Sequence, residues 1–375
     1  MQGEDADVVV IGGGIAGASV AAELSADARV FLIEQETQPG YHATGRSAAL
    51  FTTAYGPSTI RALSRASAGF FAAAHSGLDH ALTRPRGVLF IARADQAAAM
   101  AALRAEMAGA VAPVSPAAAR DRVPLLRPEA VAEAMEEPGA ADIDVESLHR
   151  LFLRRLAAAG GRLVTGNEVM ELARDGARWR IETPASTLRA AVVVNAAGAW
   201  ADVIAGRAGV RPLGLTPKRR TAVLVDLPAG IDASNWPMVL DVQERFYARP
   251  DAARLLLSPA DATPSAPCDA RPEELDVAIC IDRVQRALDL PVRRIAHAWA
   301  GLRSFLADGV PVAGFAADAP GFFWLAGQGG YGIQTAPALA RTAAALVLGR
   351  SLPADVAAEG VEAAALAADR PGLAV

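Results

Sequence analysis

The sequence predicts an α/β fold, α+β in the wider sense, in which a Rossmann-like dinucleotide-binding domain is interleaved with a second domain built on an antiparallel sheet. Three observations carry this. A β-branched run, Asp7 to Ile11, leads through Gly12-Gly13-Gly14-Ile15-Ala16-Gly17 into an alanine-rich stretch and then a second apolar run, Arg29 to Ile33. Nearly all-apolar runs recur at Ala190–Val194 and Gly321–Ala326, the texture of parallel strands buried on both faces. Between them, from Lys218 to Leu257, come short segments rich in Val, Leu, Phe and Tyr, broken by Pro228, Gly230, Pro237 and Pro250, as in antiparallel strands joined by loops.

The first unit is a strand, a glycine turn, a helix to about Ser25 and a second strand closed by Glu34, a βαβ arrangement that needs a parallel sheet covered on both faces. Gln96 to Val111 reads as an alanine-rich surface helix. Asp144 to Ala159 reads as a helix with Asp144 as N-cap and Gly160-Gly161 as its stop. Its apolar stripe, Val145, Leu148, Leu151, Phe152 and Leu156, is expected to cover a sheet. Strands are predicted at Arg162–Thr165 and Trp179–Thr183. Ala260–Arg271 reads as an exposed proline-bearing loop, and Pro272–Leu290 as a helix with Glu273 and Glu274 in its first turn. Gly327–Gly332 leads into a last helix that runs to about Leu348. The chain thus returns to its first domain, which spans residues 1–85, 142–216 and 295–375, while 86–141 and 217–294 form the second.

Composition bounds the function. The chain has 375 residues, 52% of them hydrophobic and 21% charged, enough for a packed core and far from the signature of disorder. A net charge of −5 gives no footprint for nucleic acid or an anionic membrane surface. Cys268 and Cys280 form neither a disulfide framework nor a thiolate metal site. Glu4, Asp5 and Asp7 precede the first apolar run where an export signal has basic residues, and four glycines interrupt that run. A cytoplasmic protein without a membrane span is expected. His42, His75, His80, His149 and His297 show no metal-ligand spacing and read as packed or solvated. Neither a G-x-S-x-G elbow nor a Walker A loop occurs, which removes hydrolase and nucleotide triphosphatase readings.

Gly12-x-Gly14-x-x-Gly17, between strand and helix, lets the backbone turn tightly and approach a pyrophosphate at a helix N-terminus. Glu34 ends the following strand seventeen residues after Gly17, where a carboxylate can accept from both ribose hydroxyls of an adenosine. These residues leave NAD and FAD both open. Gly40-Tyr41-His42-Ala43-Thr44-Gly45-Arg46-Ser47 suits a second phosphate and a ribityl chain. Gly327-Gln328-Gly329-Gly330-Tyr331-Gly332 opens a helix whose N–H groups could face the electron-rich edge of a flavin ring.

With Pro39–Ala49, Asn195–Trp200, Pro217-Lys218-Arg219-Arg220, Trp299–Phe305 and Gln328–Thr335 added to those motifs, the chain resembles the D-amino acid oxidase superfamily of flavoproteins along nearly its whole length. Within it, the likeness is greatest to D-arginine dehydrogenases. The resemblance implies noncovalent FAD and a substrate domain whose sheet roofs the flavin. It also implies cofactor contacts from Gly12, Gly14, Ile15, Ala16, Gly17, Glu34, Gln35, Thr44, Gly45, Arg46, Ser47, Ala48, Val169, Ala197, Gly198, Trp200, Gly301, Gly329, Gly330, Tyr331, Gly332 and Ile333.

By the same resemblance Arg220 and Arg303 hold the substrate carboxylate, Tyr55 and Tyr247 position the substrate, and Gly330 and Gln334 lie beside flavin and amine. Met238, Leu240 and Ile333 are pocket walls. The chain departs from D-arginine dehydrogenases at Arg84-Pro85-Arg86-Gly87-Val88, where they carry an acid for the substrate guanidinium, and at Leu50, where they carry a histidine. The implied reaction is oxidative deamination of D-amino acids to 2-oxo acids and ammonia by hydride transfer to flavin N5. A dehydrogenase is expected, with quinone or oxygen as acceptor. Neutral or apolar substrates are expected over cationic ones, and acidic ones are admitted through Arg86. The alternatives are a glycine- or sarcosine-type amine oxidase, an FAD-dependent 2-hydroxy acid dehydrogenase, and a flavin-bearing subunit of a larger complex.

Overall fold

In the computed structural model, which describes residues 4–373, the strand Glu4–Ile11 pairs in parallel with Val30–Ile33 on one side and Thr187–Asn195 on the other. Val10 lies between Leu32 and Val194. Arg162–Val164 extends the parallel set beyond Val30–Ile33, and Phe322–Ala326 pairs in parallel with the end of Thr187–Asn195. Antiparallel Glu171–Asp175, Arg178–Glu182 and Val312–Phe315 complete an eight-stranded sheet.

The apolar runs alternate between two cores, as a period-2 strand requires. Val8, Val10, Val30, Leu32, Val194, Phe323 and Leu325 face the helices Ile15–Leu24 and Gly332–Val347. Val9, Ile11, Phe31, Ile33, Val193, Phe322 and Trp324 face Trp179 and the helix Ala201–Arg207. Helix Val145–Ala158 forms as expected, with the Asp144 carboxylate accepting from the Ser147 N–H at 2.9 Å. Its stripe meets a helix rather than a sheet: Leu148, Leu151 and Phe152 pack with Val20, Ala21 and Leu24. The sheet beneath is already covered by Ile15–Leu24, so the second helix forms an outer layer.

The second sheet also has eight strands, in the order Ile295–Phe305, Thr216–Asp226, Arg254–Ser258, Tyr247–Asp251, Met238–Asp241, Val88–Ala92, Glu133–Glu137 and Ala112–Val114. All its pairings are antiparallel except that of Met238–Asp241 with Val88–Ala92. Ile295–Phe305 corrects the sequence assignment of 295–375 to the first domain. It pairs along nearly its full length with Thr216–Asp226 and belongs to the second sheet. A pairing some 80 residues apart in sequence leaves no local mark at residue 295, and the boundary falls after the strand instead. The outermost residues assigned by sequence, 1–3 and 374–375, lie outside the described residues.

A three-stranded ribbon, Leu50–Phe51, Ala141–Ile143 and Thr83–Pro85, lies beside these sheets. Helix Ser58–Ala72 is not foreseen from the sequence; its N-cap is Pro57, which offers no side-chain acceptor, and Ser58 lies inside the first turn and does not cap it. Among the described residues no helix is long and apolar enough to cross a membrane, and no group of acidic, His or Cys residues could hold a metal ion.

Candidate active site

A cleft opens at the carboxyl ends of Glu4–Ile11, Val30–Ile33 and Thr187–Asn195, the edge of a parallel sheet where ligands bind. Its floor is the glycine loop. A Cβ on Gly17 would sit 1.8 Å from the Gly12 carbonyl oxygen, and one on Gly12, at φ +104°, 2.5 Å from that of Ala196. Neither neighbour can yield, because both are backbone. Thr44 Oγ1 accepts from the Ile15 N–H at 2.9 Å, and the Glu34 carboxylate accepts from the Gly13 and Glu36 N–H groups at 2.7 and 2.9 Å. Burial pushes the Glu34 carboxyl above the usual range against the pull of those two N–H groups.

Of the expected cofactor contacts, Gly12, Gly14, Ile15, Ala16, Glu34, Gln35, Thr44, Arg46, Ser47 and Ala48 line the cleft from one side. Val169, Ala197, Gly198, Trp200, Gly301, Gly329, Gly330, Gly332 and Ile333 close it from others. Gly17, Gly45 and Tyr331 stand off the wall. Gly17 lets helix meet strand, and the Gly45 N–H donates to the Gly40 carbonyl at 2.7 Å. Arg46 reaches the wall, yet its guanidinium is taken: it donates to the carbonyls of Ala270 and Ala300 at 2.9 and 3.0 Å and pairs with Asp269. It ties the loop 260–271 to the strand Ile295–Phe305, so most of its donors are engaged within the fold.

The second sheet faces the same cleft with Arg220, Ala222, Tyr247 and Arg303. Arg220 lies opposite Gly301 and Arg303 opposite Lys218, so both arginines share one face of the sheet. Arg219, on the other face, is neutralised by Asp261, Glu273 and Asp276. Arg220 and Arg303 have no carboxylate partner among the described residues, and the Arg220 Nε is buried without any acceptor. Burial first, and then the like charge of Arg220, lowers the pKa of the Arg303 guanidinium. Gly330 makes room for it, because a Cβ there would lie 3.1 Å from Arg303 Nη1. Two charged forks facing a cleft, with no ion-pair partner among the described residues, can hold an anion bidentately.

Other expected site residues lie off the wall. The Tyr55 hydroxyl donates to the Glu244 carboxylate, and burial followed by that carboxylate raises the phenol pKa. Gln334 is committed: its Oε1 accepts from the Thr52 N–H at 3.3 Å and its Nε2 donates to Ser64 Oγ at 2.9 Å. Leu50, Met238 and Leu240 pack with Tyr247 and Ala222 in one apolar cluster. Arg86 is 6% exposed and held by Asp142 at 2.6 Å and by the carbonyls of Ser234 and Trp236. Asp142 also pairs with Arg249 at 3.2 Å, and Arg86, tied into this group, does not line the cleft, which departs from the pocket position expected of it.

A sequence model described as FAD dependent oxidoreductase (DAO) matches residues 7–346. The chain belongs to this family. Among curated relatives it is similar to glycine oxidase from Geobacillus kaustophilus (strain HTA426), 28% identical over 235 residues, which are 62% of this chain and 61% of the relative. It is also similar to human mitochondrial dimethylglycine dehydrogenase, 28% identical over 152 residues, 40% of this chain and 17% of that protein. The chain spans less than two thirds of the length of either. The crystal structure of the Geobacillus kaustophilus glycine oxidase superposes with a TM-score of 0.79 and 25% identity, covering 93% of this chain and 96% of that one. L-proline dehydrogenase from P. horikoshii shares the fold at a TM-score of 0.77 and 20% identity over 94% and 96% of the two chains.

The cofactor of this DAO-family protein is FAD. The cleft suits it: side chains are excluded at Gly12 and Gly17, and Glu34 waits at the end of the second strand. Sequence reasoning found no acid near Gly87 and missed Glu137, which lies across the sheet from Val88, itself opposite Met238. Glu137 is 4% exposed and accepts from the Thr52 hydroxyl at 2.5 Å, with no cationic side chain within ion-pair distance among the described residues. Burial raises its carboxyl pKa. A carboxyl raised on folding favours the folded state at low pH, and that contribution is lost as pH rises from the unfolded value through the folded one. Glu137→Gln is therefore expected to raise Tm by a few degrees at about pH 8 and by clearly less at about pH 5. An equal shift at both pH values would contradict an uncompensated buried carboxyl.

Proposed function

We propose that the chain oxidises the Cα–N bond of neutral or apolar D-amino acids. The supporting observation is the pair of arginines, Arg220 and Arg303, that share one sheet face and open onto the FAD cleft with no ion-pair partner among the described residues. Holding two unmatched, half-buried guanidiniums side by side is costly unless an anion comes to them, and an α-carboxylate fits both forks. Holding the carboxylate leaves only rotation about one bond to aim the Cα–H, and Tyr247 on the same wall limits that rotation. Ala222 and Tyr247, which line the cleft beside the arginines, are backed by the apolar cluster of Leu50, Met238 and Leu240, and this favours an uncharged side chain. With Arg86 held by Asp142 off the cleft wall, acidic substrates lose the group proposed to attract them.

FAD supplies the two-electron acceptor for the hydride that leaves Cα. The chain binds, orients and excludes water. The amino group gives up its protons to solvent, the imino acid forms, and water converts it to a 2-oxo acid and ammonia. No side-chain base is required where solvent takes the ammonium proton, a loss that becomes easier as pH rises. A second reading, oxidation of glycine or small secondary amines, is favoured by the similarity to glycine oxidase and dimethylglycine dehydrogenase.

Anaerobic reduction of the bound flavin, followed by absorbance, tests both. D-Leu, D-Met and D-Phe are expected to bleach it and their L-isomers to leave it oxidised, with slow recovery in air as for a dehydrogenase. Faster bleaching by glycine or sarcosine would establish the second reading. A flavin that no amino acid or amine reduces would overturn both.

A further inference from the structure

Helix Val145–Ala158 buries Leu148 and Phe152 against the first helix, and His149, which follows Leu148, turns toward the glycine loop. Its ring is 7% exposed, and its Nε2 lies 2.8 Å from the Gly13 carbonyl oxygen. A carbonyl can only accept, so Nε2 carries the proton and the neutral ring leaves Nδ1 bare. Burial lowers the imidazole pKa, which favours that neutral form. The loop 40–49 closes over the other edge of the ring. Gly40 is at φ +78°, and a Cβ there would lie 3.0 Å from His149 Cε1.

Gly13 is the middle of three consecutive glycines, the residue type with most backbone freedom to lose. Its N–H is held by Glu34 at 2.7 Å and its carbonyl by His149, so the peptide planes on both sides of its Cα are fixed. We propose that His149 is a positioning residue for FAD: with Glu34, it sets the glycine loop in its binding shape before the cofactor arrives. The ordering is then paid within the fold and does not have to be drawn from FAD binding. This role holds whichever substrate the enzyme oxidises, because it concerns the loop and not the arginines.

The test is titration of the deflavinated protein with FAD, read by flavin fluorescence quenching, for His149→Phe and His149→Gln. His149→Phe fills the space without a donor and is expected to raise the FAD Kd roughly tenfold. His149→Gln, whose amide nitrogen can take the place of Nε2, is expected to return it to within about threefold of the parent. KM for the amino acid at saturating FAD should not move in either variant. An unchanged Kd in His149→Phe, or a Kd equally weak in both, would overturn the proposal by showing that packing alone matters. Should His149→Phe fail to fold, ¹⁵N imidazole shifts of the holoenzyme decide it: a protonated Nε2 with bare Nδ1 supports the assignment, and the opposite tautomer removes it.

Discussion

Replacing Arg303 by methionine is expected to lower kcat/KM for the preferred amino acid by about 10²- to 10³-fold, the usual loss when a charged, bidentate partner of a carboxylate is removed. The same change is expected to raise Tm. Arg303 is enclosed beside the like charge of Arg220, and neither has a carboxylate partner among the described residues, so the fold carries an unmatched charge that methionine relieves. Activity and stability should therefore move in opposite directions, with FAD content unchanged. A fall in Tm parallel to the loss of activity would mean that Arg303 serves the fold rather than a bound anion. Steady-state kinetics and thermal denaturation on the same preparations check both.

Replacing Gly17 by alanine is expected to yield protein with little or no FAD. The added methyl would meet the Gly12 carbonyl at 1.8 Å, and relief requires the helix to move away from the strand that carries the loop. The flavin-to-protein absorbance ratio measures the outcome. Gly69→Ala is the matched control, because that glycine sits in helix Ser58–Ala72 with nothing within 4 Å of a new Cβ. There alanine is expected to stabilise by about 0.5–1 kcal/mol and leave the ratio untouched. Full FAD content in Gly17→Ala would show that the loop tolerates a displacement the packing argues against.

The features legible in the sequence were those with a local cause. The glycine loop, Glu34 after its strand, the Asp144 cap and the alternating buried strands each follow from neighbours within a few residues. The arginine pair was readable only through resemblance, since no periodicity distinguishes Arg220 from Arg219, yet one turns to the cleft and the other to three carboxylates. What stayed hidden depends on distant partners. Arg86 meets Asp142 across 56 residues, Glu137 meets Thr52 across 85, and His149 meets Gly13 across 136. A buried polar side chain can be assigned a role only once its partner is known, and a single sequence does not name that partner.

The order of strands in the second sheet has a consequence for how such an enzyme can diversify. Arg303 and Arg220 sit on the two strands at one margin, whereas Met238, Leu240 and Val88 sit on strands across the middle, separated from that margin by Arg254–Ser258 and Tyr247–Asp251. Mutational drift in the central strands can reshape the apolar packing behind Tyr247 while the arginine pair at the margin keeps its own neighbours. Changes to the packing behind Tyr247 and retention of the two arginines thus fall on different strands, and a library confined to residues 238–240 samples the first without touching the second.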